Sequence, residues 1–171
     1  MNRKVALVFI FFLIVVVSII FFQSMLPPSL SRSESRLIKE FIMPMWDNSG
    51  IPIKLNMKLV RKLFGHFLEY FILGSGIFVF NVFRADHVDI DIFSELHILT
   101  VTTPRAITVC FIDESIQFIS GRQPNIFDMW VDMSGFLFGF GVTVVIYTIL
   151  KLIATVTLYT KDSVCTLLGL G

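Results

Sequence analysis

Three short segments of this sequence place polar side chains at helical spacing inside otherwise apolar stretches. In the first, His66, Glu69 and Tyr70 are spaced i, i+3 and i+4, which puts them on one helical face. The other polar residues are Asp113, Glu114 and Gln117 in the second segment and Asp128 and Asp132 in the third, with Arg122 between these two segments. An imidazole, carboxylates and a guanidinium are the residue types needed for acid–base chemistry on an anionic group.

Any one of these residues alone fits an interfacial position at a helix end, solvated by water and lipid headgroups. Taken together they favour a common polar site, because several unpaired carboxylates facing lipid would each cost roughly 2 to 3 kcal/mol. The sequence contains no phosphate-cradling Gly-rich loop, no His-Glu-x-x-His and no Gly-x-Ser-x-Gly motif. The signatures of soluble enzymes are therefore missing.

The composition is that of a membrane protein. Hydrophobic residues make up 55% of the 171 residues, 19 residues are phenylalanine, and the mean hydropathy of +0.81 is far above that of an ordinary soluble domain. The 14 Lys and Arg against 13 Asp and Glu leave no charge surplus that would attract nucleic acid. We therefore expect membrane lipids as partners.

Hydropathy predicts an all-α polytopic membrane bundle with about four transmembrane helices, in a single domain over residues 1–171. The predicted spans cover residues 5–22, 64–83, 104–119 and 128–150. Thr103 and Pro104 suit the N-cap and the first helical position of the third span. Residues 85–103 before it fit either a surface excursion or an early extension of that helix.

A short amphipathic helix is predicted between the first two spans. Ser31 and Glu34 fit a capping box at its start, and Pro44 limits its length. One face of this helix is apolar and consists of Leu37, Ile38, Phe41, Ile42 and Met45. Such a helix belongs at the membrane interface.

The order of the spans places the polar segments on one side of the membrane. Arg3 and Lys4 precede the first span, which favours a cytoplasmic N-terminus, and four spans return the C-terminus to the cytoplasm. The polar groups lie at the start of the second span, the end of the third and the start of the fourth. We therefore predict a polar site toward the outer face, although residues 23–62 carry seven Lys or Arg against the positive-inside trend.

Gly135 and Gly139 are spaced by four in the last predicted span. Small residues at this spacing let transmembrane helices approach closely. We predict that they bring this helix against a neighbour.

The segments KLFGHFLEYFILG and DESIQFISGRQPNIFDMWVDMSGFLFG resemble the VanZ-like family of bacterial membrane proteins, named for a determinant of teicoplanin resistance. The matching pattern is His-Phe-x-Glu-Tyr, then Asp-Glu-x-x-Gln, then Gly-Arg, then an Asp leading into a Gly-x-x-x-Gly helix. The resemblance covers residues 59–142. Asp132 departs from it, since an asparagine is expected there, and Lys62 is given no role because the basic pair before His66 lies one residue further away than is usual.

The resemblance implies a bacterial cell-membrane protein of cell-envelope metabolism or glycopeptide resistance. Because the family looks related to membrane enzymes that exchange or remove lipid headgroups, it also implies a headgroup-modifying enzyme. His66 would then be general base or nucleophile on a phosphodiester, with Glu69 orienting it. Glu114 and Asp128 would form a second acid/base pair or hold a divalent cation. The substrate, a phospholipid or polyprenyl-linked headgroup, would be contacted by Tyr70, Asp113, Gln117, Arg122 and Asp132.

The alternative is a non-catalytic membrane protein that binds a lipid or an antibiotic through the same polar cluster. Ionisable groups inside a membrane mark a functional site without identifying a reaction. A small transporter would need more helices or an oligomer.

Overall fold

The computed structural model describes residues 3–48, 56–84 and 92–167, and apart from short connections these residues are helical. Their five helices are α1 (Arg3–Met25), α2 (Pro28–Asn48), α3 (Met57–Arg84), α4 (Ile92–Ile119) and α5 (Ile126–Leu167). No strand occurs in these ranges. The predicted all-helical membrane bundle is confirmed.

Three of the described helices are long and apolar enough to cross a membrane. The stretches concerned are Lys4–Met25 in α1, Met57–Arg84 in α3 and Ile126–Thr157 in α5. Large apolar side chains such as Leu7, Phe11 and Ile149 are exposed on their outer surfaces, as expected of helices that face lipid. The predicted third span lies within α4, which is long but is not among the three because Arg105, Asp113 and Glu114 interrupt its apolar stretch.

The start of α4 differs from the prediction. The helix begins at Ile92, so residues 92–102 are the early extension, Thr103 is not an N-cap, and Pro104 lies inside the helix. Pro104 has no N–H to donate to the carbonyl of Thr100. In the preceding turn, the Thr103 hydroxyl donates to the Leu99 carbonyl at 2.7 Å. Residues 85–91 lie outside the described ranges.

The amphipathic helix α2 is longer than predicted. It starts at Pro28, so Ser31 lies inside its first turns and donates its backbone N–H to the Pro27 carbonyl, and it continues through Pro44 to Asn48. The capping-box start and the limit at Pro44 were therefore wrong. Its buried residues are Ser31 and Ser35, while Phe41 on the apolar face is 80% exposed. An apolar face turned outward suits a helix that lies against lipid.

The close contact between α3 and α5 holds the centre of the bundle. A Cβ added at Gly135 would collide with the backbone carbonyl of Phe67, and one added at Gly139 would collide with that of Phe71. A Cβ added at Gly74 of α3 would likewise collide with the backbone carbonyl of Phe136 in α5. The buried apolar core around this contact consists of Val16, Ile20, Tyr70, Leu73, Ala106, Cys110 and Phe136.

Candidate functional site

A seven-residue π-helical segment near the start of α3 carries His66. It covers Arg61–Phe67 and follows a first turn that is capped by the Asn56 side chain, which accepts the Leu59 N–H at 2.9 Å. A π-helical turn shifts the direction of the side chains that follow it, and such segments are frequent at functional sites. Here the His66 side chain is directed into the protein and is buried.

The imidazole of His66 is paired with a carboxylate from α5. His66 Nδ1 lies 3.0 Å from Asp132 Oδ1, and Asp132 is 0% exposed. Asp132, and not Glu69, is therefore the carboxylate that contacts the His66 ring, and Glu69 Oε1 is buried with no hydrogen-bond partner among the described residues. This contact crosses from the π-helical segment of α3 to α5.

The polar end of α4 forms a hydrogen-bonded group next to this pair. Gln117 Nε2 donates to Asp113 Oδ2 and to Glu114 Oε1, both at 3.1 Å. The Ser24 hydroxyl, from the end of α1, donates to the other oxygen of Asp113. The backbone N–H of Asn125 donates to Glu114 Oε2 at 2.9 Å. Four described helices thus contribute to one buried region.

Gly121 ends α4 and sets the position of Arg122. Gly121 has φ +79°, a conformation that favours glycine. Its N–H bonds to the Phe118 carbonyl at 3.2 Å, and the N–H of Arg122 bonds to the Gln117 carbonyl at 2.9 Å. These two bonds form a Schellman motif, which turns the chain sharply after the helix. The Gly-Arg pair thereby places Arg122 beside the buried carboxylates.

Four side chains of this region can offer ligand atoms that all lie within 4.8 Å of one another. They are His66, Asp113, Glu114 and Asp132, and all four are buried. We call them the acidic core. Such a group can exchange protons, and its donor set of three carboxylates and one imidazole also suits a divalent cation.

A cationic cleft of about 490 Å³ lies next to the acidic core, since Gln117 lines the cleft and donates hydrogen bonds to Asp113 and Glu114. Its charged lining residues are Arg32, Lys58, Arg61, Lys62, Arg122 and Asp128. Asp128 is the one carboxylate among them, with Lys62 Nζ at 2.6 Å and Arg61 Nη2 at 3.7 Å. A smaller cavity of about 30 Å³ is lined by Arg61, Arg122 and His66, so these two arginines border both spaces. The cleft therefore offers cations to an anion that approaches His66.

The hydrogen-bond donors of Arg122 and Arg61 are only partly paired. Arg122 Nη1 donates to the Gln23 carbonyl at 3.1 Å, but the Nε atoms of both arginines are buried without a hydrogen-bond partner in the described part of the chain. Burial, together with the nearby charge of Arg61, lowers the pKa of Arg122 from its ordinary value. A bound anion would oppose both effects, since it would screen the repulsion and accept the free N–H groups.

The predicted site residues named here fall into four places. His66, Asp113, Glu114 and Asp132 form the acidic core with Gln117 bridging two of its acids, and Asp128 and Arg122 line the cleft. Tyr70 is fully buried in the apolar core, and its hydroxyl has no hydrogen-bond partner among the described residues. Gly135 and Gly139 lie at the α3–α5 contact.

Sequence reasoning missed several residues of the site. Ser24 and the Asn125 backbone bond to the acidic core, and nothing in the local sequence marks either of them. Lys62 was given no role, yet it makes a close contact with Asp128. The signal that could have found it is its spacing of four from His66, which places both residues near one helical face.

Lys62 is expected to stabilise the site through Asp128. Lys62→Met leaves the Asp128 carboxylate, which is 2% exposed, with only the more distant Arg61. We expect a loss of about 1 to 3 kcal/mol in the free energy of unfolding, less than for a fully buried pair because Lys62 is 30% exposed. Denaturant unfolding of the protein in detergent measures the loss.

A matched control is Lys58→Met, which removes another cation from the lining of the same cleft. We expect little change there, and we expect Asp128→Asn to restore most of the stability when it is added to Lys62→Met. Equal losses in the two lysine variants, or no recovery in the double variant, would contradict the assignment.

Comparison with known proteins gives one match. A protein-family model described as VanZ/LLP1 matches residues 9–151. No curated protein and no solved structure matches the chain significantly. The matched range contains the acidic core and the described residues that line the cleft.

Proposed function

The chain belongs to the VanZ/LLP1 family, and from this membership and the architecture of the site we propose that it is an integral membrane enzyme that transfers or hydrolyses the phosphate-linked headgroup of a membrane lipid. The observation that carries the proposal is a cationic cleft whose two arginines, Arg61 and Arg122, also line the small cavity at His66, where the imidazole meets a buried carboxylate. Cations at the entrance suit an anionic headgroup, and groups that exchange protons lie next to them. Lipid acyl chains would remain beside the apolar outer surfaces of the helices.

The proposed reaction is substitution at phosphorus. The oxygen of water or of an acceptor alcohol forms a bond to phosphorus, the bond from phosphorus to the leaving oxygen breaks, and a proton passes from the attacking to the leaving group. Arg122 and Arg61 hold the non-bridging phosphate oxygens, for which the planar guanidinium is well suited. The acidic core around His66 activates the attacking oxygen.

Asp128 acts as a positioning residue in this account. Its carboxylate contacts Lys62 and Arg61, so it fixes two of the cations that line the cleft. Its two carboxylate oxygens face these two cations, Oδ1 toward Lys62 and Oδ2 toward Arg61.

We place the site at the outer face of a bacterial cell membrane. Ser24 near the end of α1, His66 near the start of α3, Asp113 near the end of α4 and Asp132 near the start of α5 meet in one region. Alternating helix ends that meet in this way share one depth in the bundle. With the N-terminus in the cytoplasm, that depth is the outer leaflet. Phospholipids and polyprenyl-linked envelope precursors both present phosphate headgroups there.

Arg122 is expected to govern substrate affinity. Arg122→Gln removes a guanidinium from the cleft, and we expect KM for an anionic lipid in mixed micelles to rise about tenfold or more, with a smaller change in kcat. The KM of Arg122→Lys should lie between those of the wild type and Arg122→Gln, because lysine keeps the charge but cannot form the bidentate contact of a guanidinium. Steady-state kinetics over a lipid concentration series separates KM from kcat.

The control is Arg84→Gln, which removes the same residue type at the opposite end of α3. It should leave KM unchanged. The assignment of Arg122 to phosphate binding is wrong if both glutamine variants raise KM equally, or if Arg122→Gln lowers only kcat.

Comparative lipidomics of cells tests the proposed function as a whole. A strain that lacks the protein and a strain that carries His66→Ala should accumulate the same headgroup species, because both lack the same reaction. If the deletion alters the lipids or the sensitivity to glycopeptides and the His66→Ala strain behaves as wild type, the chain is a non-catalytic binding protein and the proposal is wrong.

A further inference from the structure

The donor atoms of the acidic core have the spacing of a metal coordination sphere. His66, Asp113, Glu114 and Asp132 can each direct one ligand atom so that all four lie within 4.8 Å of one another. Oxygen ligands of Ca²⁺ lie at about 2.3 to 2.6 Å from the ion, so ligands on opposite sides of it are about 4.6 to 5.2 Å apart. Smaller ions such as Mn²⁺ and Mg²⁺ need only a slight contraction of the same set.

The acidic core brings three buried carboxylates together around one imidazole. Asp113, Glu114 and Asp132 are all buried, and their hydrogen-bond donors are the Ser24 hydroxyl, the Gln117 amide, the Asn125 backbone and the His66 ring. In the described part of the chain, no lysine or arginine forms an ion pair with any of the three, because Lys62 and Arg61 contact Asp128 instead. Buried carboxylates at this spacing need a cation or protons to offset their repulsion.

Asp132 supplies a second and independent observation. Its Oδ1 is occupied by the His66 ring, but its Oδ2 is buried and has no hydrogen-bond partner among the described residues. Asp132 is fully buried, and a carboxylate oxygen in such a place normally has a partner. A metal ion bound within the acidic core would provide that partner.

We propose that the acidic core binds one divalent cation of the oxygen-preferring class, Ca²⁺, Mn²⁺ or Mg²⁺, with Asp113, Glu114, Asp132 and His66 as its protein ligands. Three carboxylates favour this class over the softer transition metals, which bind preferentially to thiolates and to several imidazoles. His66 would bind through Nδ1, because this atom lies 3.0 Å from Asp132 Oδ1, a separation that suits two adjacent ligands of one ion. The ion would then take the place of the hydrogen bond between the two side chains.

The ion also has a place in the proposed reaction. It would lie near Arg61 and Arg122, where it could polarise a phosphate oxygen and activate the attacking oxygen with His66 as one of its ligands. This catalytic role rests on the proposed function, whereas binding of the ion does not. Loss of metal binding and loss of headgroup turnover can therefore be tested separately.

The experiment is titration of the full-length protein with MnCl₂ after removal of metals with EDTA. The electron paramagnetic resonance signal of free Mn²⁺ reports binding, and we expect one saturable site per chain that Ca²⁺ or Mg²⁺ competes for. Thermal unfolding gives a readout that needs no variant, because a ligand that binds only the folded state raises Tm. No saturable site and no rise in Tm with any of the three ions would overturn the proposal.

Asp132→Asn and Asp113→Asn test the assignment of ligands. Each should lower Mn²⁺ affinity by about tenfold or more, as removal of groups at a metal site commonly does. Asp128→Asn is the matched control, since Asp128 is buried one turn from Asp132 on α5 but lies outside the acidic core. It should change the affinity by less than about threefold.

Equal weakening in all three variants would mean non-specific attraction of Mn²⁺ to acidic residues, which overturns the proposal. If one variant does not fold, the other still tests a ligand. Headgroup turnover that persists in EDTA while Mn²⁺ still binds would remove the catalytic role of the ion and leave the proposed function intact. Metal binding without any headgroup turnover would leave the proposed cation site intact and contradict the proposed function.

Discussion

Replacing His66 with glutamine lowers kcat for headgroup turnover by about 10² to 10⁴-fold, the range expected when a group that activates the attacking oxygen is lost. Glutamine has nearly the volume of histidine and can still donate a hydrogen bond to Asp132, which is 3.0 Å from the ring nitrogen. It cannot accept a proton at neutral pH and is a much weaker metal ligand. The chemical step should therefore fail while the buried contact is largely kept.

The measurement is single-turnover kinetics of the purified variant on a lipid that the wild type converts. His97→Gln is the matched control, because it makes the same change at an exposed position of α4 and should leave kcat unaltered. Size-exclusion behaviour and thermal unfolding in detergent show whether the His66 variant is folded. A folded His66→Gln protein with wild-type kcat would remove His66 from the chemistry.

Gly139→Ala is expected to have the largest effect on stability. The added Cβ collides with the backbone carbonyl of Phe71, and backbone cannot move aside as a flexible side chain can. The Gly139 carbonyl also accepts a hydrogen bond from Ser75 Oγ at 3.0 Å, so separation of α3 from α5 would break a contact across the two helices. We expect a loss of about 3 kcal/mol or more in the free energy of unfolding, at or above the usual range for overpacking.

Gly141→Ala is the control on the same helix. A Cβ at Gly141 has no neighbour within 4 Å, so the change should be neutral or should stabilise α5 by up to about 1 kcal/mol through higher helix propensity. Denaturant unfolding in detergent compares the two variants. Similar stabilities for Gly139→Ala and Gly141→Ala would show that the close approach of α3 and α5 is not needed.

The helices could be predicted from sequence because their apolar stretches are long and their polar residues repeat at helical spacing. His66, Asp113, Glu114 and Asp132 were all selected in this way, since each lies near the end of a helix that is otherwise apolar. Periodicity shows which residues share a face of one helix. It therefore identified all four side chains that the fold brings together in the acidic core.

Contacts between helices were beyond the same reasoning. Asp132 rather than Glu69 contacts the His66 ring, and this contact crosses from the π-helical segment of α3 to α5. Ser24 contacts Asp113 although the two residues are 89 positions apart in sequence, and no local pattern predicts this pairing. The start of α4 was left open between a surface excursion and an early extension, because Thr103 and Pro104 also suit the start of a helix, whereas the structure has Pro104 inside the helix.

Conversion of lipid by the purified wild-type protein in vesicles tests the central claim most directly, namely that the acidic core next to the cationic cleft does chemistry on lipid headgroups. The vesicles contain headgroup-labelled phosphatidylglycerol, phosphatidylserine and a polyprenyl diphosphate together with Mn²⁺, and mass spectrometry follows each species over time. We predict that at least one labelled headgroup is released or exchanged at a rate proportional to the amount of protein. The account is contradicted if every lipid in the set stays intact while one of them co-purifies with the protein at a fixed stoichiometry.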